Sequence, residues 1–284
     1  MEKYITLNDG SRIPRLGQGT WYLGEDADRA AAEVKTLKTG IEAGMALIDT
    51  AEMYADGGAE KIVGQAIRGY DREKLYLVSK VYPFNAGRRN IFTSCENSLR
   101  RMGTDYMDLY LLHWMGSVPL AETAECMEKL VDQGKIRRWG VSNLDLYDMQ
   151  ELLSVSNGGH CCVNQLLYHL GSRGIEYDLL PYLTERGIPV MAYCPLAQGG
   201  RLRRTLLGSS SVQTVAQKHG ITPVQVLLAF VLSNENMIAI PRTGNAQHAL
   251  QNAAVSGMDL SQEDLALLNA QFPAPTGPQP LDML

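Results

Sequence analysis

The chain has few cysteines, and their arrangement suggests neither a metal site nor a disulfide framework. Five cysteines occur among 284 residues, without a CxxC motif, and the five histidines lack the spacing of metal ligands. We therefore expect no metal. Scattered thiols are typical of a reducing compartment, and the first residues, "MEKYITLNDG", lack the features of a signal peptide. These absences predict a cytoplasmic protein.

Long apolar runs and an excess of positive charge are also missing. No run of about 18 apolar residues occurs, so we expect no membrane span. The formal net charge is −5, which leaves no basic surface of the kind that binds nucleic acid. Hydrophobic residues still make up 45% of the chain, enough for one large core. Because composition does not change along the sequence, we predict a single domain over residues 1–284.

Short apolar runs alternate with helical patterns along most of the chain. After a predicted hairpin over "KYITL", "NDG" and "SRIP", such runs recur roughly every 30 residues. They cover residues 15–19, 47–51, 75–81, 107–114, 136–143, 161–168, 189–196 and 237–243. Strands that are apolar throughout and separated by helices are typical of a parallel sheet. We predict an α/β fold, a (β/α)8 TIM barrel with an N-terminal β-hairpin and an irregular C-terminal tail.

Polar side chains collect near the carboxyl ends of the predicted strands, where barrel enzymes place their chemistry. Asp49, Lys80 and His113 lie late in the second, third and fourth runs. Strand alternation turns Asp49 and Lys80 toward the barrel interior, and neighbouring strands lie about 4.8 Å apart. Tyr54 follows Asp49 on a loop that can fold over the same opening. We therefore expect these four side chains to meet.

A lysine, a tyrosine and a histidine at one site suggest proton donation. An ammonium group beside a phenol favours the phenolate, so we expect Lys80, held by Asp49, to lower the pKa of Tyr54 from about 10. Tyr54 could then protonate a developing alkoxide, while His113 orients the carbonyl. The site would need a separate source of hydride. Taken singly, each residue also fits an ordinary loop tyrosine or a structural ion pair.

The motifs that carry these residues, "DTAEMY", "VSKV" and "LLHW", resemble those of the aldo-keto reductase family. The resemblance continues in order through "GQGTW", "GVSN", "NQLLYHL", "AYCPLAQGG" and "IPRTGN". Within the family, the chain is most similar to bacterial reductases of methylglyoxal and other 2-oxoaldehydes. The resemblance implies that Tyr54 is the general acid, that Lys80 and Asp49 tune it, and that His113 orients the carbonyl.

The resemblance also implies NADPH bound in an extended form without a Rossmann unit, with NADH as the alternative cofactor. Ser142, Asn143 and Gln165 would hold the nicotinamide carboxamide, and Tyr193 would stack on the ring. The other positions assigned to the cofactor are Thr20, Trp21, Asp49, Cys194, Pro195, Leu196, Gln198, Gly199, Ile240, Pro241, Arg242, Thr243, His248, Gln251 and Asn252. The substrate would contact Trp21, Tyr54, His113 and Trp114.

The sequence departs from the family pattern at the cofactor positions. Cys194 stands where the family often has serine, and Arg242 and Thr243 stand where it often has lysine and serine. Arginine can still bind a 2′-phosphate, in bidentate fashion. His248 stands where a second arginine is common, and the loss of that charge leaves NADH use open. We expect "RLRR" at 201–204 to be a solvated loop, with binding of the cofactor's phosphates as the alternative.

Two alternatives to a reductase of small aldehydes and ketones remain open. A lysine at a strand end can form a Schiff base, as in an aldolase or lyase, although the ion pair with Asp49 would make Lys80 a poor nucleophile. A cofactor-sensing barrel protein without turnover is the other alternative. The oligomeric state and the substrate are not determined by the sequence.

Overall fold

An antiparallel hairpin plugs one end of the molecule. The computed structural model describes residues 2–284. Strand β1 (Tyr4–Thr6) pairs with β2 (Arg12–Pro14), as predicted, through a turn in which Gly10 has a φ of 80°. Glycine adopts such positive φ values without a steric penalty. Leu7 and Ile13 pack into the apolar cluster inside the barrel, so the hairpin seals the end where the barrel strands begin.

Eight parallel strands pair in sequence order in one sheet. They are β3 (Gly17–Gly19), β4 (Leu47–Asp49), β5 (Tyr76–Val81), β6 (Met107–Leu112), β7 (Ile136–Ser142), β8 (Asn164–Leu167), β9 (Val190–Tyr193) and β10 (Met237–Ala239). Isolated parallel bridges, Leu16 to Ala239 and Gly19 to Arg242, join the two edges of the sheet. The sheet is therefore closed, and the predicted barrel is confirmed.

Helices alternate with the strands and cover the outside of the barrel. The α helices are α1 (Ala30–Glu42), α2 (Gly58–Ile67), α3 (Ile91–Met102), α4 (Leu120–Asp132), α5 (Leu146–Ser154), α6 (Leu179–Glu185), α7 (Gly200–Gly208), α8 (Ser210–His219), α9 (Pro223–Leu232), α10 (Ala246–Ala253) and α11 (Gln262–Gln271). Short 3₁₀ helices cover Ala27–Arg29, Tyr54–Gly57, Arg72–Lys74, Pro83–Asn85, Gly158–His160 and Gly174–Glu176. From 272 to 284 the chain has neither helix nor strand, as predicted for the tail.

The strands separate two apolar clusters. Leu47, Val78 and Leu109 belong to the cluster inside the barrel, whereas Ile48 and Leu77 belong to the larger cluster between the strands and the helices. Successive side chains of a strand point to opposite faces, which produces this division. Because Leu47 points inward, the side chain two residues later on β4 also points inward.

Several strands are shorter than the apolar runs predict. β6 ends at Leu112 and β10 ends at Ala239, so His113 and Arg242 follow their strands instead of lying within them. The prediction extended too far because the residues after β10, Ile240 and Pro241, are themselves buried and apolar. The "RLRR" segment was also predicted wrongly, since residues 201–204 form the first turns of α7.

The most apolar helix lies inside the structure. Residues Gln225 to Leu232 of α9 are all buried, and its N-cap is Thr222, as the sequence predicts. Within residues 2–284, no single helix is long and apolar enough to cross a membrane. Taken together, α8 and α9 reach that length and apolarity, with a bend of 93° between them.

Arg15 connects the two edges of the sheet at the end where the barrel strands begin. Its side chain is only 4% exposed. The guanidinium donates hydrogen bonds to the carbonyl oxygens of Leu232 (2.8 Å), Asn234 (2.5 Å) and Met237 (3.2 Å). The backbone N–H of Ala239 donates to the Arg15 carbonyl oxygen at 2.8 Å. One side chain therefore satisfies three carbonyl groups near the start of β10.

We expect Arg15→Met to lower the free energy of unfolding by about 2–4 kcal/mol, because buried carbonyl groups would lose their donors. Urea denaturation followed by circular dichroism measures this change. Arg12→Met is the matched control, since the Arg12 guanidinium is exposed and only stacks on Tyr4 at 4.1 Å. Its cost should stay below about 1 kcal/mol. Equal losses in the two variants would contradict the role assigned to Arg15.

Candidate active site

A cavity of about 360 Å³ opens at the carboxyl ends of the barrel strands. Cavities of this size commonly bind small molecules. Most residues predicted for the site line it. They are Thr20, Trp21, Asp49, Tyr54, His113, Trp114, Ser142, Asn143, Gln165, Tyr193, Cys194, Pro195, Leu196, Gln198, Ile240, Pro241 and Arg242. The strand order of the barrel brings these distant segments to one place.

The four predicted catalytic side chains meet at this cavity. Lys80 Nζ donates to both carboxylate oxygens of Asp49 at 2.8 Å and to the Thr50 carbonyl oxygen at 2.8 Å. It also donates to the Tyr54 hydroxyl at 3.2 Å. The ring of His113 lies edge-on to the Tyr54 ring, with the centroids 5.7 Å apart. Lys80 is fully buried and does not line the cavity itself, so it acts on the cavity only through Asp49 and Tyr54.

Local backbone geometry sets the position of Tyr54. Asp49 is the last residue of β4, and the chain then turns through the 3₁₀ helix that begins at Tyr54. Within that helix, Ala55 and Asp56 have φ values of 49° and 50°. The Tyr54 N–H donates to the Ala51 carbonyl oxygen at 3.1 Å. This tight turn folds the tyrosine back over the end of its own strand and beside Lys80.

The Asp49–Lys80 pair is buried, with 2% and 0% exposure. Burial raises the pKa of Asp49 and lowers the pKa of Lys80, and each partner's charge opposes the effect of burial on the other. Both oxygens of the carboxylate accept from Lys80, and Gln165 Nε2 donates to Asp49 Oδ1 at 2.8 Å. A buried charge pair is tolerated when its hydrogen bonds are complete, as they are here.

The expected lowering of the pKa of Tyr54 is wrong. Burial raises the pKa of Tyr54 well above its ordinary value, and the negative charge of Asp49 adds to the rise. The sequence argument gave the ammonium of Lys80 the deciding effect, whereas in the structure burial of the hydroxyl dominates, and the Asp49 carboxylate lies 2.8 Å from that ammonium. Tyr54 therefore keeps its proton, which is the state that a proton donor requires.

His113 is neutral at physiological pH. Burial, together with the positive charge of Lys80, lowers the pKa of His113 to about 2. Its Nδ1 is buried without a hydrogen-bond partner among the residues that the structure describes. No protein group therefore fixes which ring nitrogen carries the proton. A neutral imidazole can donate one N–H to a ligand in the cavity without bringing a positive charge.

Amide and hydroxyl groups from three strands surround the inner end of the cavity. Ser142 Oγ donates to the Gln165 backbone carbonyl at 2.9 Å, and Tyr193 Oη donates to Asn143 Oδ1 at 2.9 Å. Asn143 Nδ2 donates to the His113 backbone carbonyl at 3.2 Å. The side-chain oxygen of Gln165 has no protein partner within residues 2–284. This set can both donate to and accept from a carboxamide.

Five residues predicted for the cofactor lie outside the lining of the cavity: Gly199, Thr243, His248, Gln251 and Asn252. Gly199 precedes α7 and has a φ of 132°. Thr243 lies on the loop before α10, and the last three lie on α10 itself. Their roles stay predictions, because none of the five lines the cavity.

Residues that the sequence did not indicate also line the cavity. They are Gly19, Tyr22, Met53, Ala197, Met283 and Leu284, and Arg203 of the "RLRR" segment lines the cavity as well. Met283 and Leu284 reach it because the tail returns across the barrel, where Ser172 Oγ donates to Asp282 Oδ2 at 2.5 Å. An irregular tail carries no periodic signal from which its path could be predicted. The exposed aromatic Tyr22, next to the predicted Trp21, is the one position that its place in the sequence could have indicated.

Backbone strain is concentrated at this end of the barrel. Seven residues other than glycine have positive φ values within residues 2–284, and all but Asn157 lie on loops that follow β3, β4, β7 and β9. Such conformations cost about 1–3 kcal/mol each and often occur at functional sites. Cys194 is one of them, with a φ of 49°. Burial raises the pKa of its thiol to about 11, so the group is an inert thiol and not a nucleophile.

A family model described as "Aldo/keto reductase family" matches residues 15–271. The chain belongs to the aldo/keto reductase family. It is an oxidoreductase. The four side chains predicted to be catalytic, Asp49, Tyr54, Lys80 and His113, lie together at the cavity. Within residues 2–284 no group of metal-ligating side chains could hold a metal ion.

Named relatives are similar over almost the whole chain. The methylglyoxal reductase YeaE of Escherichia coli (strain K12) is 56% identical over 283 residues, which cover 100% of this chain and 99% of the relative. The glyoxal reductase of Bacillus subtilis (strain 168) is 33% identical, with 99% and 97% covered. A crystal structure of an aldo/keto reductase from Klebsiella pneumoniae with NADP and acetate has a TM-score of 0.97 and 54% identity, and each chain is fully covered (100%).

The neutral state of His113 gives a prediction for acid stability. Its pKa is lower in the folded chain, about 2, than in the unfolded chain, about 6.5, so acid favours unfolding. The contribution of neutral His113 to the free energy of unfolding is complete well above pH 6.5. It is lost progressively as the pH falls from 6.5 toward 2. Between pH 7 and pH 5 the loss from this group is about 2 kcal/mol.

Between pH 7 and pH 5, we expect the free energy of unfolding to fall by about 2 kcal/mol less in His113→Asn than in the unmodified protein. Urea denaturation at each pH measures this difference. Burial also lowers the pKa of His169, to about 4, and this histidine is present in both proteins. An unchanged pH dependence in His113→Asn would mean that His113 is not neutral in the folded protein.

Proposed function

We propose that this protein reduces small aldehydes and ketones with NADPH, and that 2-oxoaldehydes such as methylglyoxal are among its substrates. The observation that carries the proposal is the hydrogen bond of 3.2 Å between Lys80 Nζ and the Tyr54 hydroxyl, at the inner end of a cavity that His113 also lines. This arrangement places a proton donor and a neutral hydrogen-bond donor beside one another, as the reduction of a carbonyl group requires.

The residues around the cavity fit a nicotinamide dinucleotide. The side-chain oxygen of Gln165 is free to accept from a carboxamide, and Ser142 and Asn143 offer further polar groups beside it. The ring of Tyr193 lines the same wall. At the outer end, the guanidinium groups of Arg203 and Arg242 line the cavity and suit phosphates. When bound, NADPH supplies the hydride.

Tyr54 then acts as the general acid. Its hydroxyl is protonated in the resting site, because burial raises its pKa. As negative charge develops on the carbonyl oxygen of the substrate, the hydroxyl donates its proton to that oxygen. The Lys80 ammonium, which already donates to the hydroxyl, stabilises the tyrosinate that is left. Asp49 holds the ammonium in place through two bonds of 2.8 Å.

His113 orients the substrate. Its ring lies against both Tyr54 and Trp114, with centroid distances of 5.7 Å and 4.8 Å. The neutral imidazole donates its N–H to the same carbonyl oxygen, which holds the carbonyl carbon toward the hydride donor. Because the ring is neutral and lacks the acidic proton of an imidazolium, it does not compete with Tyr54 as the acid. The two residues therefore have separate roles.

The size and lining of the cavity favour a small substrate. Trp21, Met53, Trp114, Met283 and Leu284 give the mouth apolar walls. A short molecule with two adjacent carbonyl groups fits between these walls and the polar inner end. The similar proteins of Escherichia coli and Bacillus subtilis, described as a methylglyoxal reductase and a glyoxal reductase, support this substrate class. We further propose that the protein acts in the cytoplasm on small molecules.

The two alternative functions receive less support from the site. A Schiff base would require an accessible, neutral Lys80, but its amine is fully buried and donates to Asp49, Thr50 and Tyr54. A sensor without turnover would not need the contact between Lys80 and Tyr54. Family membership and the intact catalytic group favour an enzyme over both alternatives.

Tyr54→Phe tests the proposal. We expect the turnover rate of this variant with methylglyoxal to be lower by a factor of about 10³ or more, since no other acid lies at the position of the hydroxyl. The loss of NADPH absorbance measures turnover, and quenching of tryptophan fluorescence measures NADPH binding, which should change less than threefold. Tyr147→Phe, at a tyrosine that is 78% exposed, is the matched control. Turnover in Tyr54→Phe equal to that of the unmodified protein would refute the assignment.

A further inference from the structure

Arg29 lies beside the loop that carries Arg242, although it comes from the opposite edge of the barrel sheet. Arg29 ends the 3₁₀ helix Ala27–Arg29 and immediately precedes α1, and α1 packs against α10. A Cβ atom built on Gly244 would lie 3.2 Å from Arg29 Nη2. The guanidinium of Arg29 therefore reaches the residues that directly follow Arg242 in the chain.

The two guanidinium groups lie close enough to repel each other. Burial lowers the pKa of Arg242, and the positive charge of Arg29 is the next cause of that lowering. Glu33 and Glu25 oppose it from a longer range. The carboxylate of Glu33 already accepts a hydrogen bond from the Gly24 N–H at 2.9 Å. Folding therefore places two positive charges near each other, and their repulsion disfavours the charged form of Arg242.

No carboxylate compensates for this repulsion by direct contact. Within residues 2–284, neither Arg29 nor Arg242 has an acidic partner within 4.0 Å. The only hydrogen bond that Arg242 donates there goes to the Tyr22 carbonyl oxygen at 3.3 Å. Most of the donor groups of both guanidiniums are therefore available. Two adjacent arginines with free donors match the geometry of a phosphate dianion.

The position of this arginine pair relative to the cavity identifies the phosphate that it would bind. Arg242 lines the cavity and is exposed, whereas Ser142 and Gln165, which would hold the carboxamide, are buried, so Arg242 marks the outer end. The inner end would hold the nicotinamide, so an extended dinucleotide places its adenosine half at the outer end. His248, on the first turn of α10, is exposed and does not line the cavity. The cation beside Arg242 is therefore Arg29, immediately before α1, and not His248 on α10.

We propose that Arg29 and Arg242 together bind the 2′-phosphate of the adenosine half, and that Arg29 is a determinant of NADPH over NADH. This inference rests on the proposed function, since it concerns the cofactor of the same site. Each guanidinium donates to the phosphate oxygens, and the phosphate relieves the repulsion between the two cations. A cofactor without the 2′-phosphate leaves that repulsion in place, so the pair discriminates against NADH.

Binding of adenosine fragments tests the proposal without turnover. Isothermal titration calorimetry with adenosine 2′,5′-bisphosphate and with adenosine 5′-monophosphate measures the contribution of the 2′-phosphate directly. We expect Arg29→Ala to weaken the bisphosphate about tenfold and to leave the monophosphate within twofold. Arg29→Lys keeps the charge and loses the paired donors, so it should weaken the bisphosphate about threefold.

Cofactor affinity provides the second measurement. In Arg29→Ala, the ratio of the dissociation constants of NADH and NADPH should fall about tenfold, through weaker NADPH binding. Lys35→Ala removes an exposed positive charge from α1, the helix that follows Arg29, six residues further along at about 9 Å, and should leave the ratio unchanged. An equal loss for both cofactors, or an unchanged ratio, would overturn the role of Arg29.

The outcomes also separate this inference from the proposed function. If the unmodified protein prefers the bisphosphate but reduces no aldehyde, then the function is wrong and the phosphate site stands. If it reduces methylglyoxal with NADPH while Arg29→Ala binds both fragments normally, then only the phosphate site is wrong. A matching loss in Lys35→Ala would mean that general charge, and not this pair, determines the preference, and would also overturn the inference.

Discussion

The buried ion pair between Asp49 and Lys80 is the interaction on which the site depends. Both groups are removed from water, so their charges are stable only while every hydrogen bond is made. Lys80 also donates to the carbonyl oxygen of Thr50, directly after β4, and to the Tyr54 hydroxyl. Asp49 accepts a further hydrogen bond from Gln165 on β8. Because β4 and β8 face each other only in a closed barrel, closure of the sheet is a condition for this pair to exist.

Rigidity and strain are divided between the two ends of the barrel. At one end, the hairpin inserts Leu7 and Ile13 into the interior, and Arg15 ties β3 to the start of β10. At the other end, loops with positive φ values carry Tyr22, Asn143 and the residues around Tyr54. Strained conformations persist only where the surrounding structure holds them. The packed lower end and the barrel wall therefore stabilise the conformations that the active site requires.

The cavity joins two chemically different regions. Its inner end has a neutral histidine and a protonated tyrosine, because burial disfavours the charged form of each. Its outer end has Arg242 close to Arg29, two exposed cations without an acidic contact. The neutral region suits a carbonyl group, and the cationic region suits a phosphate. In the function that we propose, a dinucleotide spans both regions, which would connect cofactor choice at one end with proton transfer at the other.

The sequence alone determined the barrel, the hairpin and the catalytic group, because strand periodicity and the motifs around Asp49, Lys80 and His113 are local signals. Prediction from the sequence failed for properties that depend on contacts between residues far apart in the chain. The pKa of Tyr54 rises instead of falling because burial excludes water from its hydroxyl and the negative charge of Asp49 adds to the rise. The extent of that burial cannot be seen along the chain. The return of Leu284 to the cavity, and the approach of Arg29 to Arg242 across the closed seam of the sheet, were likewise decided only by tertiary structure.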